Sequence, residues 1–123
     1  IYNLVNSFQS EVLKPVIIGN EEDLWWQVSP KVKEEIVIIL QELLVNMKKH
    51  SKAKKMKLLF EKTDNQLDII YTDDGIGFGK NILKKNGLQN TETRIFSCNG
   101  TLKFDQTIEK GTKIEISFPL KNE

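Results

Sequence analysis

Residues Ser29 to His50, SPKVKEEIVIILQELLVNMKKH, decide the fold. Ser29 carries a side-chain oxygen that can accept from an unpaired backbone N–H at a helix start. Pro30 suits the first helical turn, where its missing N–H costs nothing. From there the apolar residues recur at helical spacing: Val32, Ile36, Ile39, Leu40, Leu43, Leu44 and Met47 fall in one stripe at 100° per residue. The spacing predicts a helix from Val32 to His50 that lays this stripe on a packed layer. Ile36 to Leu40, five residues long, is the longest apolar run of the chain and far too short to cross a bilayer.

Two strand-like runs come next, Met56 to Glu61 and Leu67 to Thr72, joined by Thr63-Asp64-Asn65 in a hairpin pattern. The glycine-rich Asp73-Asp74-Gly75-Ile76-Gly77-Phe78-Gly79 closes the second run. Asn81 to Asn86 is short and basic, and Leu88 to Ser97 has the length of a short helix. Thr101 to Thr107 and Thr112 to Phe118 read as strands around Glu109-Lys110-Gly111, with Pro119 ending the last.

Upstream, Ile1, Leu4, Val5, Phe8 and Val12 have near-helical spacing across Ile1 to Leu13. Pro15 to Gly19 reads as a short buried strand ending in a turn. Glu21 to Trp26 reads as a loop whose two tryptophans fold back on apolar surface. One long helix and short ones therefore accompany a mixed, mostly antiparallel set of strands. The expected architecture is a two-layer α/β sandwich with its helices on one face of the sheet.

The 123 residues suffice for one domain with its own core, and 39% hydrophobic with 28% charged residues is ordinary globular usage. Eighteen basic against seventeen acidic residues leave a net charge of +1, which argues against a dedicated nucleic-acid binder. Six lysines crowd positions 48 to 57, but no aromatic residue interleaves with them, and cations suit the end of a helix. The single cysteine, Cys98, excludes an internal disulfide and reads as a small apolar residue. A start at Ile1 rather than methionine is what a piece of a longer protein would show.

Four groups of residues have chemical potential. Glu42, Asn46 and Lys49 are spaced i, i+4, i+7 and form a row at the rim of the apolar stripe, with Glu35 one heptad upstream. Such a row is either a solvated helix face or the edge of a site. In Asp73-Asp74-Gly75-Ile76-Gly77, glycines after a strand let backbone approach a ligand, and a carboxylate can accept from an exocyclic amine. The same residues also suit a plain turn after a hairpin. Asn86-Gly87-Leu88 leads into a helix whose free amides suit phosphate. Gly111-Thr112 is a turn glycine before a strand.

The order of these groups, ending in Phe118-Pro119-Leu120, resembles the catalytic, ATP-binding domain of bacterial sensor histidine kinases. That superfamily also holds gyrase and the mismatch-repair ATPases. The form Glu42-Leu43-Leu44-Val45-Asn46-Met47-Lys48-Lys49-His50-Ser51 and the short lid look most like the nitrate-sensor and desaturase-sensor group. The resemblance runs from about Trp25 to Leu120 and implies a Bergerat-type ATP-binding fold.

It implies roles as well. Asn46 matches the asparagine that holds the Mg²⁺ bridging the ATP phosphates, and Glu42 the acidic residue that orders metal-bound water or poises the phosphoryl acceptor. Lys49 and His50 match the pair that approaches the phosphates. Asp73 matches the aspartate that accepts the adenine amino group, with Gly75 and Gly77 giving the base room and Thr112 supporting recognition through a water. Gly87 and Leu88 match the motif that closes over the phosphates. Lys85 stands where that motif normally has its first glycine, and Asn99-Gly100 stands where a glycine pair is common.

The implied partners are ATP, a histidine-bearing dimerisation domain and a downstream response regulator, with no nucleic acid and no membrane contact from this piece. The implied place is the cytoplasmic part of a membrane-anchored bacterial sensor. Residues 1–14 would be a helical remnant and linker after the dimerisation domain, and 15–123 the catalytic domain. His50, the only histidine, lies in the phosphate motif, so the phosphoacceptor would come from elsewhere in the parent protein. Two other readings stay open: a catalytically weak nucleotide-binding or interaction module of the same fold, and an anti-sigma-type serine kinase.

Overall fold

A computed structural model of the chain describes residues 1–7, 9, 14–48, 53–63, 65–75, 88–104 and 111–120. The elements run α1 (Tyr2–Asn6), β1 (Lys14–Ile18), α2 (Glu22–Trp25), α3 (Pro30–Asn46), β2 (Lys55–Lys62), β3 (Gln66–Asp73), α4 (Leu88–Ser97), β4 (Thr101–Phe104) and β5 (Thr112–Pro119). The five strands form one sheet in the order β1-β2-β3-β5-β4. Only β1 runs parallel to its neighbour; the other three pairs are antiparallel.

The long helix starts as its sequence dictates, with the Val32 backbone N–H donating to Ser29 Oγ at 3.2 Å and Pro30 in the first turn. Ile36, Ile39, Leu40, Leu43, Leu44 and Met47 are all buried. They meet Met56, Leu58 and Phe60 of β2, Leu67, Ile69 and Tyr71 of β3, and Ile114, Ile116 and Phe118 of β5 in one core. Each such side chain contributes roughly 1.5–3 kcal/mol by leaving water. The opposite face of the sheet, with Lys57, Leu59, Ile70 and Glu115, stays half-buried or exposed. The helices thus cover one face, as a two-layer sandwich requires.

Three local expectations change. Pro15 to Ile18 is an edge strand rather than a fully buried one, with Val16 50% and Ile18 45% exposed. A continuous apolar run cannot tell one-sided from two-sided burial, and Pro15, lacking an N–H, belongs on an edge. Glu22–Trp25 forms a single helical turn where a loop is expected, because one turn carries too little periodicity to be legible.

The tryptophan pair splits. Trp25 sets its ring edge-on to Phe60 at 5.8 Å and donates through Nε1 to Asn20 Oδ1 at 2.8 Å, whereas Trp26 is 78% exposed. At the N-terminus the helix covers Tyr2–Asn6, and Val5 is fully buried in the main core.

The C-terminal ends of α3 and α4 depart from regular helix. Beyond Asn46, Met47 and Lys48 widen into a π-type turn, a distortion often found beside functional residues. The last two residues expected in this helix, Lys49 and His50, lie outside the described residues. α4 stops with Asn99 at φ 60°, the Asn99 N–H donating to Phe96 O and the Gly100 N–H to Ile95 O. This is the paired left-handed closure of a helix, which asparagine tolerates.

Candidate functional site

The strand registers bring three chain segments to one end of the sheet. Met56, at the start of β2, pairs with Asp73, at the end of β3, and Asp73 pairs with Thr112, at the start of β5. Asp73 and Thr112 both point into the buried layer, 9% and 6% exposed. Asp74, one residue on, turns outward and uses its Oδ1 to accept from the backbone N–H groups of Lys54 and Lys55 at 2.8 and 2.9 Å. The two adjacent aspartates therefore play different parts. Asp74 pins the start of β2, and Asp73 faces the interior.

Asp73 is held by donors on both oxygens. Tyr71 Oη donates to Oδ2 at 2.5 Å and the Gly75 backbone N–H donates to Oδ1 at 3.0 Å. Burial, and then the charge and hydrogen bond of Asp73, hold the Tyr71 phenol well above its ordinary value, so it keeps its proton. Beside this carboxylate the buried Thr112 Oγ1 finds no hydrogen-bond partner among the described residues. A buried hydroxyl without a partner is costly and marks a place for a bound group or water.

Gly111 makes the close packing possible. Its φ is +90°, and a Cβ there would lie 2.2 Å from the Asp73 carbonyl oxygen.

On α3, Asn46 is 6% exposed and donates from Nδ2 to the Glu42 carbonyl oxygen at 2.9 Å. This turns the amide nitrogen back into its own helix and sets the opposite, oxygen end of the amide as the acceptor. Glu42 is tied to α4: Thr91 Oγ1 donates to its Oε2, and Arg94 Nε lies 3.7 Å from its Oε1. Arg94 also donates from Nη1 to Glu35 Oε2 at 3.0 Å. The acidic row of α3 is thus the surface on which α4 docks, one turn before Asn46.

Thr91→Val removes the donor at nearly constant size, and its expected cost is about 1–2 kcal/mol, read as a lower urea midpoint. A double-mutant cycle with Glu42→Ala, which removes the acceptor, should return a coupling of at least ~0.5 kcal/mol, and additive effects would sink the interhelical bond.

Of the residues singled out in the sequence, Glu42, Asn46, Asp73, Gly75 and Thr112 lie in this region, and Leu88 opens α4. Lys49, His50, Gly77, Lys85 and Gly87 lie outside the described residues. Sequence reasoning passed over Tyr71 and Thr91, and named Asp74 in the glycine-rich group without a part of its own. Strand alternation places Tyr71 on the face of Asp73, so that signal was present; nothing local pairs Thr91 with Glu42, 49 positions away. A separate cavity of about 420 Å³, lined by Asn20, Glu21, Trp25 and Lys33 among others, shares no residue with this region.

Residues 31–122 match the family described as histidine kinase-, DNA gyrase B-, and HSP90-like ATPase. The sensor histidine kinase YxjM of Bacillus subtilis is 33% identical over 102 residues, covering 83% of this chain and 24% of that protein. The sensor histidine kinase DesK of the same organism is 29% identical over 119 residues, covering 94% and 32%. The chain thus spans a third of the length of these relatives or less. Among solved structures, the histidine kinase domain of the Erythrobacter litoralis EL346 blue-light activated histidine kinase matches with a TM-score of 0.77. That match covers 97% of this chain and 57% of the other, at 17% identity, and is a likeness of fold.

Proposed function

The chain belongs to the histidine kinase-, DNA gyrase B-, and HSP90-like ATPase family, and from that premise we propose that it presents the γ-phosphoryl group of Mg·ATP to a histidine on a separate dimerisation domain. It is an ATP-binding catalytic domain of the sensor histidine kinase type. The parent protein would then pass the phosphoryl group to a response regulator. No helix among the described residues is long and apolar enough to cross a membrane, and the proposed place of action is the cytoplasm.

The observation that carries the reading is the buried pair of Asp73 and Thr112, opposed across β3 and β5, with the Thr112 hydroxyl lacking a partner among the described residues. A carboxylate is an acceptor only, whereas a hydroxyl donates or accepts. Together they fit the amino edge of adenine with a water alongside.

Asn46 fits a hard cation, because its amide nitrogen is committed to Glu42 O and its oxygen is the end left for a ligand. When bound, Mg²⁺ supplies neutralisation of the phosphate charge. The chain's own part is positioning. Asp73 and Thr112 hold the base, Asn46 orients the metal-bearing phosphates, and Glu42, anchored on Thr91 and Arg94, fixes the helix turn that carries Asn46. Lys49, His50, Lys85, Gly87 and Leu88 complete the phosphate end in this proposal, and Gly77 the base end.

Calorimetric titration with a non-hydrolysable ATP analogue tests it. Saturable binding that tightens at least about tenfold with Mg²⁺ is expected, and Asn46→Ala should abolish the Mg²⁺ effect while leaving the domain folded. Binding indifferent to both Mg²⁺ and Asn46 would overturn the metal assignment. No binding to the folded chain, alone or with a supplied histidine domain, would overturn the nucleotide site.

A further inference from the structure

We propose that Tyr71 is the positioning residue that makes Asp73 selective for a 6-amino purine. The inference rests on the reading of Asp73 as the base-recognising residue and adds a determinant buried behind it. Tyr71 stands two residues before Asp73 on the same face of β3, between Leu58 and Ile114 in the strand register, and is 1% exposed. Its hydroxyl donates to Asp73 Oδ2 at 2.5 Å, the length of a charge-assisted bond from a hydroxyl to a carboxylate. The Gly75 N–H takes Oδ1.

Two consequences arise from this arrangement. First, the carboxylate is clamped at both oxygens, so its orientation is set before a ligand arrives and little is lost in ordering it. A carboxylate has about four acceptor sites, so a clamp of this kind orients it and still admits a further donor. Second, the phenol approaches Oδ2 only as a donor, since it keeps its proton, so Asp73 meets the ligand as an acceptor. Thr112, beside it, has a hydroxyl that serves amino and oxo groups alike and cannot discriminate. Discrimination against a 6-oxo purine therefore depends on Asp73 and on what holds it.

The test compares ATP and ITP analogues, whose bases differ at position 6 (amino against oxo) and at the adjoining N1 (acceptor against N–H), by calorimetry on the chain and on Tyr71→Phe. The expected result is that Tyr71→Phe weakens the ATP analogue about tenfold and leaves the ITP analogue unchanged, so that the preference collapses by the same factor. A loss shared equally by both analogues, or by neither, means that Tyr71 only supports the core and overturns the proposal.

The unmodified chain offers a second readout if the variant does not fold. The Tyr71 phenolic proton resonance should shift on saturation with the ATP analogue and not with the ITP analogue; an identical response to both also overturns it. Asp73→Asn separates the layers: if it leaves both affinities unchanged, the assignment of Asp73 itself fails, and the role of Tyr71 falls with it.

Discussion

Gly111→Ala should lower the melting temperature by about 10–15 °C and remove nucleotide binding even where the variant is still folded. The alanine Cβ would sit 2.2 Å from the Asp73 carbonyl oxygen, at a φ of +90° that an L side chain adopts only under strain. Neither partner can yield cheaply. Asp73 O belongs to the last rung of the β3–β5 ladder, where Asp73 pairs with Thr112. Moving it shifts the residues proposed to grip the base. A cost of about 3 kcal/mol is reasonable for positive-φ strain plus a backbone overlap.

Gly19→Ala is the matched control. Its φ is +84° and its Cβ would meet the Phe60 carbonyl oxygen at 2.1 Å, a clash of the same kind at the β1–β2 edge. Comparable destabilisation is expected, with binding retained at temperatures below its melt. Loss of binding in both variants would mean that stability alone is being read. Retention in both would detach Gly111 from the site.

Leu40→Ala should cost about 2–5 kcal/mol, the range for a leucine emptied from a closed core, and leave nucleotide affinity within about twofold. Leu40 is 1% exposed and lies in the stripe that joins α3 to all three central strands. Asn46, on the same helix, should behave in the opposite way. Asn46→Ala gains helix propensity and loses one bond to Glu42 O, so its stability change should stay within about 1 kcal/mol while the Mg²⁺ dependence disappears. Urea midpoints and titrations at one temperature check both. A Leu40→Ala protein that is folded but no longer binds would show that the apolar stripe and the polar row are not separable.

This separation is partly legible in the order of residues alone. The 100° stripe from Val32 to Met47 defines both a buried face and a rim, and Glu42 and Asn46 fall on the rim by arithmetic. The hairpin of β2 and β3, the short helix from Leu88 to Ser97 and the Ser29 cap are likewise local matters. In each, the decisive contacts lie within a few residues or repeat with a fixed period. The ordered motifs then identify the family, because close backbone approach to a nucleotide needs glycines and acceptors at set places in the chain.

Where the sequence failed, the missing information was two-sided burial or a distant partner. The run from Pro15 to Ile18 has the same apolar letters whether it is central or at an edge. Its exposure is set by β1 joining only β2, through parallel pairing in which Pro15 meets Met56 and Ile18 meets Leu59. The Trp25-Trp26 pair is symmetrical in the sequence, but the one-turn helix Glu22–Trp25 aims one ring at Phe60 and leaves the other in water.

The sequence by itself determined the long amphipathic helix, the hairpin and the kinship with ATP-binding kinase domains. The tertiary structure alone decided that β5 inserts between β3 and β4, which sets Thr112 opposite Asp73. It also decided that Thr91 and Arg94 reach back to Glu42 and Glu35, and that Tyr71 clamps Asp73 from inside the core. The physical reason is common to all of these. Local periodicity reports which side of an element is dry, whereas a hydrogen bond across the fold exists only once the dry sides have met and excluded water from the polar groups between them.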